Sequence, residues 1–420
     1  MHLTEKEKRM LGGDYGPIVQ KSMDLLLKVG EFYGAERMLK VTQAHLIAWE
    51  INDILFDLFS ELTKGATLVV PTTVNPLLFD LQRWQELGIA ESDLPNLERM
   101  QSRLANEHRR LGVIPTYTCH PHFQHELRLG EHIAFTESNV QIFANAWFGA
   151  RSNIEGATTA IAAAVTGRTP EYGLHIEGNR RGEILVEVDK ETQPESFDYA
   201  DYGALSFWTG RLLTDRIPVY IGLSDEMTAG QAKYMCAPQV LHSSAATFHI
   251  VGVTPEARSL EEALGGAKAK GRARFGKKER REAFESLCSA KDRNIDLVCL
   301  GCPHCTLDEL AAIAGLLKGK KVNGQTRLWV GTNEPTRNLA KRMGIIDLIV
   351  DAGGHVLTGM CSGTAPILRL GRKLGIRTVA SNSACLAGIL SRSGRGKFGA
   401  WFGRTRDCIA ASINGKWEGR

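Results

Sequence analysis

Two kinds of hydrophobic spacing divide this chain. Through about residue 112, apolar side chains recur at helical intervals, at 51–62 and again at 97–111, where a charged outer face accompanies them. Such spacing predicts amphipathic helices. Between them the short apolar run 66–71 predicts a buried strand leading into the turn sequence Thr72-Thr-Val-Asn-Pro76. From about residue 113 onward, short apolar runs alternate with helical patterns. They predict strands at 113–118, 184–188, 218–223, 247–253, 295–300, 327–330, 345–351 and 377–380. Several, such as Asp296-Leu-Val-Cys-Leu300, are apolar without alternation, as strands covered on both faces are. The pattern predicts an α/β fold with largely parallel sheets.

Length adds that more than one lobe is needed, because 420 residues exceed what one hydrophobic core usually serves. The expected division is a mainly helical region 1–112, an α/β lobe 113–265 and a second α/β lobe 283–420. The connector between the lobes, residues 265–282, carries eight lysines and arginines against two glutamates. It lacks the interleaved aromatics of a nucleic-acid patch apart from Phe275, and reads as a solvated connector or helix face. The whole chain is nearly neutral at +4, which gives no argument for nucleic acid or membrane as a partner. No apolar run reaches the roughly 18 residues of a membrane span, and the charged first eight residues lack the core of a signal peptide. A cytoplasmic location is the expectation. In that compartment nine cysteines read as metal ligands, nucleophiles or core residues sooner than as disulfides.

Three of the nine stand out by context. Cys119 follows a predicted strand in Pro115-Thr-Tyr-Thr-Cys-His-Pro121, and Cys302 follows another in Cys299-Leu-Gly-Cys-Pro-His-Cys305. Cys361 lies in a glycine-rich loop that begins at Gly353. Open α/β sheets build sites just beyond the carboxyl ends of their strands, so these three loops can offer thiolates to one point. Thr306 and Glu309 have the spacing of a capping box, so a helix is predicted to start directly after Cys305. A helix N-terminus favours the thiolate that metals require. Cys299 reads as core, and Cys236, Cys288 and Cys408 as structural. The spacing of Cys299, Cys302 and Cys305 resembles a ferredoxin run without its closing Cys-Pro. A zinc site formed by Cys119 with His120, His122 or His125 competes with a cluster.

A second constellation is polar: Thr136-Glu-Ser-Asn139, Gly149-Ala-Arg-Ser-Asn-Ile-Glu-Gly156 and Glu177-Gly-Asn-Arg-Arg181. Arg151 and Arg180 suit bidentate binding of a substrate carboxylate. Ordinary turn and capping roles explain the same residues equally well.

Taken together, TTVNP, TYTCHP, FTESN, the block from FANAWFGARSNIEG to TGRTPEYG, ADYGAL, FHIVGVTPEA, LGCPH, MCSGTAP and SNSA resemble the aconitase X family over nearly the whole chain. The resemblance implies an aconitase-like large fragment of about three α/β lobes, with the small swivelling domain outside these 420 residues. It implies an iron–sulfur cluster, of 2Fe–2S or 4Fe–4S type, or iron alone, on Cys119, Cys302 and Cys361. A separate small subunit carrying a catalytic serine is the implied partner. The family dehydrates small hydroxy acids, cis-3-hydroxy-L-proline or mevalonate 5-phosphate. Within that frame His45, Arg151, Asn153 and Glu155 are the expected catalytic residues, with Arg151 and Asn153 steadying an enediolate and His45 or Glu155 relaying protons. Thr73, Asn75, Ser138, Asn139, Arg180 and Ser383 are expected to bind substrate. The chain departs from the family at Thr42-Gln-Ala-His-Leu-Ile47, at Tyr117-Thr-Cys-His-Pro121, and at Asn382-Ser-Ala-Cys385, where a cysteine replaces a lysine. The absence of a Gly-x-x-x-x-Gly-Lys phosphate loop favours hydroxyproline. A zinc hydrolase and a non-catalytic iron-binding homologue are the readings of other classes.

Overall fold

The computed structural model describes residues 1–47, 53–123, 126–361, 364–393 and 397–419. Three successive stretches of chain each build a parallel sheet with its own core. The first contains strands β1 (Met38–Lys40), β2 (Ala44–Leu46), β3 (Thr72–Val74), β4 (Ala134–Phe135) and β5 (Arg168–Pro170). Strands β3, β2 and β4 pair in parallel in that order, while β1 and β5 form a separate antiparallel ribbon. This sheet therefore draws strands from both sides of residue 112. The second stretch contains β6 (Ile184–Val188), β7 (Pro218–Ile221), β8 (His249–Ile250) and β9 (Gly271–Phe275), in the order β8-β7-β6-β9. The third contains β10 (Leu297–Cys305), β11 (Arg327–Thr332), β12 (His355–Thr358), β13 (Thr378–Ser381) and β14 (Gly399–Phe402), in the order β12-β11-β10-β13-β14.

The helical expectations hold, with helices at Asp53–Thr63 and Leu94–Leu111, the latter closed by Gly112 at φ 73°. Residues 51 and 52 of the first lie outside the described residues. Four expectations change. The run 66–71 is not a strand: Pro71 cannot donate to a ladder, pairing starts at Thr72, and Leu68 and Val70 pack against Ala163 and Ala164. Residues 113–118 give only an isolated bridge, between Ile114 and Thr73. Pro115 interrupts the ladder there, and the Thr116 hydroxyl replaces a backbone partner by accepting from Val74 N–H at 3.1 Å. Residues 345–351 are a helix, Ile345–Asp351, because Ile345, Ile346 and Ile349 form one buried stripe at helical spacing. The strand before Cys361 is β12 instead. Finally, the basic run 265–282 is more than a connector. It contains edge strand β9, paired in parallel with β6, and the start of helix Lys277–Leu287. Arg272 and Arg274 point to solvent while Phe275 is buried, so the charges guard an open sheet edge.

His108, on the helix Leu94–Leu111, is buried among Phe59 and Tyr117, and its Nε2 has no hydrogen-bond partner among the described residues. Burial lowers its pKa from 6.5 to about 4. A histidine depressed in the fold stabilises above the unfolded pKa, and that contribution is lost as pH falls from about 6.5 to 4. The loss is about 3 kcal/mol at 1.36 kcal/mol per unit. His108→Phe is expected to flatten the acid-induced fall in stability by that amount, measured as urea midpoints between pH 7 and 4. An unchanged pH slope would assign the acid sensitivity elsewhere.

Candidate active site

The carboxyl ends of β10 and β12, the loop after Ile114 and the start of helix Ser138–Trp147 meet around one cavity of about 150 Å³. Its walls include Cys119, Cys302, Cys361, Asn75, Asn139 and Glu137. Sequence distance is overcome here by the backbone at Gly301. This residue has φ +89°, and a Cβ there would lie 2.1 Å from the Gly331 carbonyl oxygen. Only glycine fits, and the register of β10 on β11 shifts between Leu300 and Cys305, swinging Cys302 out of the ladder. The predicted capping box is present: Thr306 and Glu309 start the helix Leu307–Leu317 directly after Cys305.

A fourth thiol, Cys385 on the helix Ala384–Ser393, also lines the cavity. Its S–H donates to Cys302, and together with the Ser383 hydroxyl this outweighs burial and makes Cys302 the more acidic of the pair. Burial, then the neighbouring Glu137 carboxylate, pushes the Cys119 thiol up, so a metal binding here would release its proton. Among the described residues no three His, Cys, Asp or Glu side chains converge tightly enough to hold one ion. Cys119, Cys302, Cys361 and Cys385 all line the cavity, and thiolates are the donors an iron–sulfur cluster would take. Neither His120 nor His122 lines the cavity. His120 bonds Asn139 at 2.7 Å and His122 stacks on Phe143 at 4.4 Å, while His125 lies outside the described residues.

Glu137 was not singled out from the sequence, although it sits inside the polar Thr136–Asn139 block. It caps the helix Ser138–Trp147 by accepting from Val140 N–H at 3.1 Å, with φ +69° and ψ 123°. That backbone costs about 1–3 kcal/mol, and such strain gathers at functional sites. Enclosure away from bulk water raises its pKa to about 7, against the lowering effect of the helix N–H groups.

The other expected residues divide. His45 on β2 is fully buried and joins Thr73 (2.7 Å) to Asn75 (3.2 Å), and Asn75 reaches the cavity wall. The Asn139 carboxamide oxygen has no partner among the described residues. Ser138 opens its helix beside Glu137, and Ser383 caps Leu386 N–H at 3.1 Å beneath Cys302. The remaining four lie apart from the thiols. Arg151 borders a different cleft and meets Glu177 at 3.5 Å. Arg180 is 2% exposed, with its guanidinium committed to Glu256 and to the carbonyls of Asn145 and Leu174. Asn153 spends both ends of its amide on Tyr172 and Leu174. Glu155 is buried with a pKa raised to about 7 by desolvation, and it does not line the cavity. Among the excluded cysteines, Cys236, Cys299 and Cys408 are fully buried in the cores.

Profiles described as the aconitase X first, second and third domains match residues 1–178, 182–285 and 295–414. The chain belongs to the aconitase X family. These three spans follow the three sheets. The phosphomevalonate dehydratase large subunit of Methanothermobacter thermautotrophicus is 36% identical over 88% of this chain and 90% of its own length. The cis-3-hydroxy-L-proline dehydratase of Hypocrea jecorina is 30% identical over 100% of this chain and 70% of its own. The crystal structure of Thermococcus kodakaraensis aconitase X, in its holo-form, superposes with a TM-score of 0.85 at 28% identity, covering 98% of this chain and 100% of that one. The aconitase X member described here is a hydro-lyase. Among its described residues, no helix is long and apolar enough to cross a membrane.

Proposed function

We propose that this aconitase X protein is the large subunit of a dehydratase acting on cis-3-hydroxy-L-proline, with an iron–sulfur cluster on Cys119, Cys302 and Cys361. The observation that carries this reading is the single cavity shared by those three thiols and Glu137. When bound, the cluster supplies a Lewis-acidic iron that makes the substrate hydroxyl a better leaving group. The reaction removes the C2 proton and the C3 hydroxyl and leaves a carbon–carbon double bond. Asn75, whose carboxamide oxygen is taken by His45, presents its NH₂ group to the substrate carboxylate. Glu137 holds a proton near neutral pH and hands it to the departing hydroxide. The C2 proton is assigned to a group on a separate small subunit, a partner supported by relatives named as large subunits.

The described lining contains no lysine or arginine, which suits an amino acid better than a phosphate ester. The 36% identity to a phosphomevalonate dehydratase large subunit supports mevalonate 5-phosphate as the second reading. The deciding experiment is anaerobic reconstitution with iron and sulfide, addition of the small subunit, and assay of both compounds. Turnover of hydroxyproline alone supports the first reading, and turnover of mevalonate 5-phosphate alone replaces it. Glu137→Gln is expected to lower kcat by about 10²–10⁴ with iron content unchanged. Because the protonated acid is lost above about pH 7, wild-type rate should fall as pH rises through that value, and the variant should lack this limb. Wild-type kcat in the variant would remove Glu137 from the chemistry.

A further inference from the structure

His304 lies two residues beyond Cys302 and is 2% exposed. Its contacts reach both other cysteine loops. The backbone N–H points at Cys119 Sγ at 3.5 Å, Nδ1 meets the Thr118 hydroxyl at 3.0 Å, and Nε2 meets the Met360 carbonyl at 2.8 Å. Its own carbonyl accepts from the buried Lys233 ammonium. A carbonyl can only accept, so Nε2 carries the hydrogen and Nδ1 accepts from Thr118. The Thr118 oxygen then remains free to accept from His120 N–H at 3.2 Å. Each bond in this chain has one direction. The partners are 186 and 56 residues away in sequence, so these bonds tie distant loops together rather than shape a local turn.

We infer that His304 is a positioning residue that locks the loops of Cys119, Cys302 and Cys361 into one arrangement, and thereby sets how firmly the site holds its cluster. The inference rests on the cluster reading above. A hydrocarbon side chain here would leave the Thr118 hydroxyl and Met360 carbonyl unpaired and the two loops free to drift. Outer groups that orient metal ligands typically change metal affinity by about 10–100-fold when removed.

The test compares wild type, His304→Leu and His304→Gln after anaerobic loading with iron and sulfide. The readouts are the electron paramagnetic resonance spectrum of the reduced protein and the rate of iron loss to a chelator. The leucine variant is expected to lose iron about 10–100-fold faster, with an altered spectrum. The glutamine variant, whose amide N–H can still reach the Met360 carbonyl, should fall between the two. Wild-type spectrum and rate in His304→Leu would overturn the inference. If circular dichroism shows that variant unfolded, Thr118→Val takes its place, since it removes only the hydroxyl facing Nδ1. Faster iron loss there supports the inference, and an unchanged rate overturns it. A wild-type chain that takes up neither iron nor sulfide sinks the cluster reading and this inference together. A loaded wild type with unaffected variants sinks the positioning alone.

Discussion

Replacing Cys361 by serine is expected to abolish cluster binding and dehydratase activity together while leaving the fold in place. A thiolate binds iron because its proton leaves near neutral pH and its sulfur is polarizable; a serine hydroxyl offers neither property. With only two thiolates left of the three, the cluster has no stable seat. Serine is close to cysteine in size, and Cys361 faces the cavity instead of the packed core, so the cost in stability should be small. The backbone N–H of residue 361 still donates to Leu77 O at 2.8 Å and keeps the loop docked. The check is iron and sulfide content beside visible absorption, with the thermal midpoint as control. Wild-type iron and turnover in this variant would show that Cys361 is not a ligand. Uptake of the cluster by Cys385 in its place would leave the iron content up and the spectrum changed, and would overturn the expected loss of the cluster while keeping Cys361 as a ligand.

The second large effect concerns the floor of the site. Lys233 is fully buried on the helix Ala229–Val240, and its ammonium is held by the Glu309 carboxylate and the His304 carbonyl. Glu309 also accepts from the Tyr234 hydroxyl at 2.7 Å and from Thr306 N–H at 2.9 Å. The pair joins the second sheet's helices to the start of the helix after Cys305. Glu309→Leu is expected to destabilise the protein by about 3–5 kcal/mol, because it strands a charge that cannot reach water. Removing the charge as well, in Lys233→Met/Glu309→Leu, should recover most of the loss, since burying an ion pair costs desolvation that an apolar pair avoids. Urea midpoints of the two variants make the comparison. A single variant within about 1 kcal/mol of wild type would mean that water or another group reaches Lys233.

Much of the candidate site is legible in the sequence. Cys119 follows a bridge segment, Cys361 follows β12 and Cys302 lies within β10, and local sequence carries that signal: apolar run, then glycine or proline, then cysteine. Glu137 was harder to see. Its block stands out for its polar residues, but a carboxylate at a helix N-terminus ordinarily reads as a cap, which Glu137 also is. Its strained backbone and its enclosure by the thiol loops are properties of the assembled site. Arg151 and Arg180 illustrate the reverse. An arginine beside glycines has the chemistry to bind a carboxylate, yet Arg180 found Glu256, seventy-six residues away, and is spent there.

The sequence by itself determined the α/β class, six of the fourteen described strands (β6, β7, β8, β10, β11 and β13) and the three cysteine-bearing loops that line the cavity, because periodicity, turn residues and strand ends are local properties of a chain. It misplaced the helix at Ile345–Asp351, where a short apolar run is compatible with either period and only burial on one side decides. Tertiary structure alone decided which polar residues face the cavity, how Gly301 turns Cys302 toward it, and how His304 bridges loops 186 residues apart. Those outcomes depend on contacts between segments distant in sequence, and the direction and partner of a polar side chain are fixed only when both segments are in place.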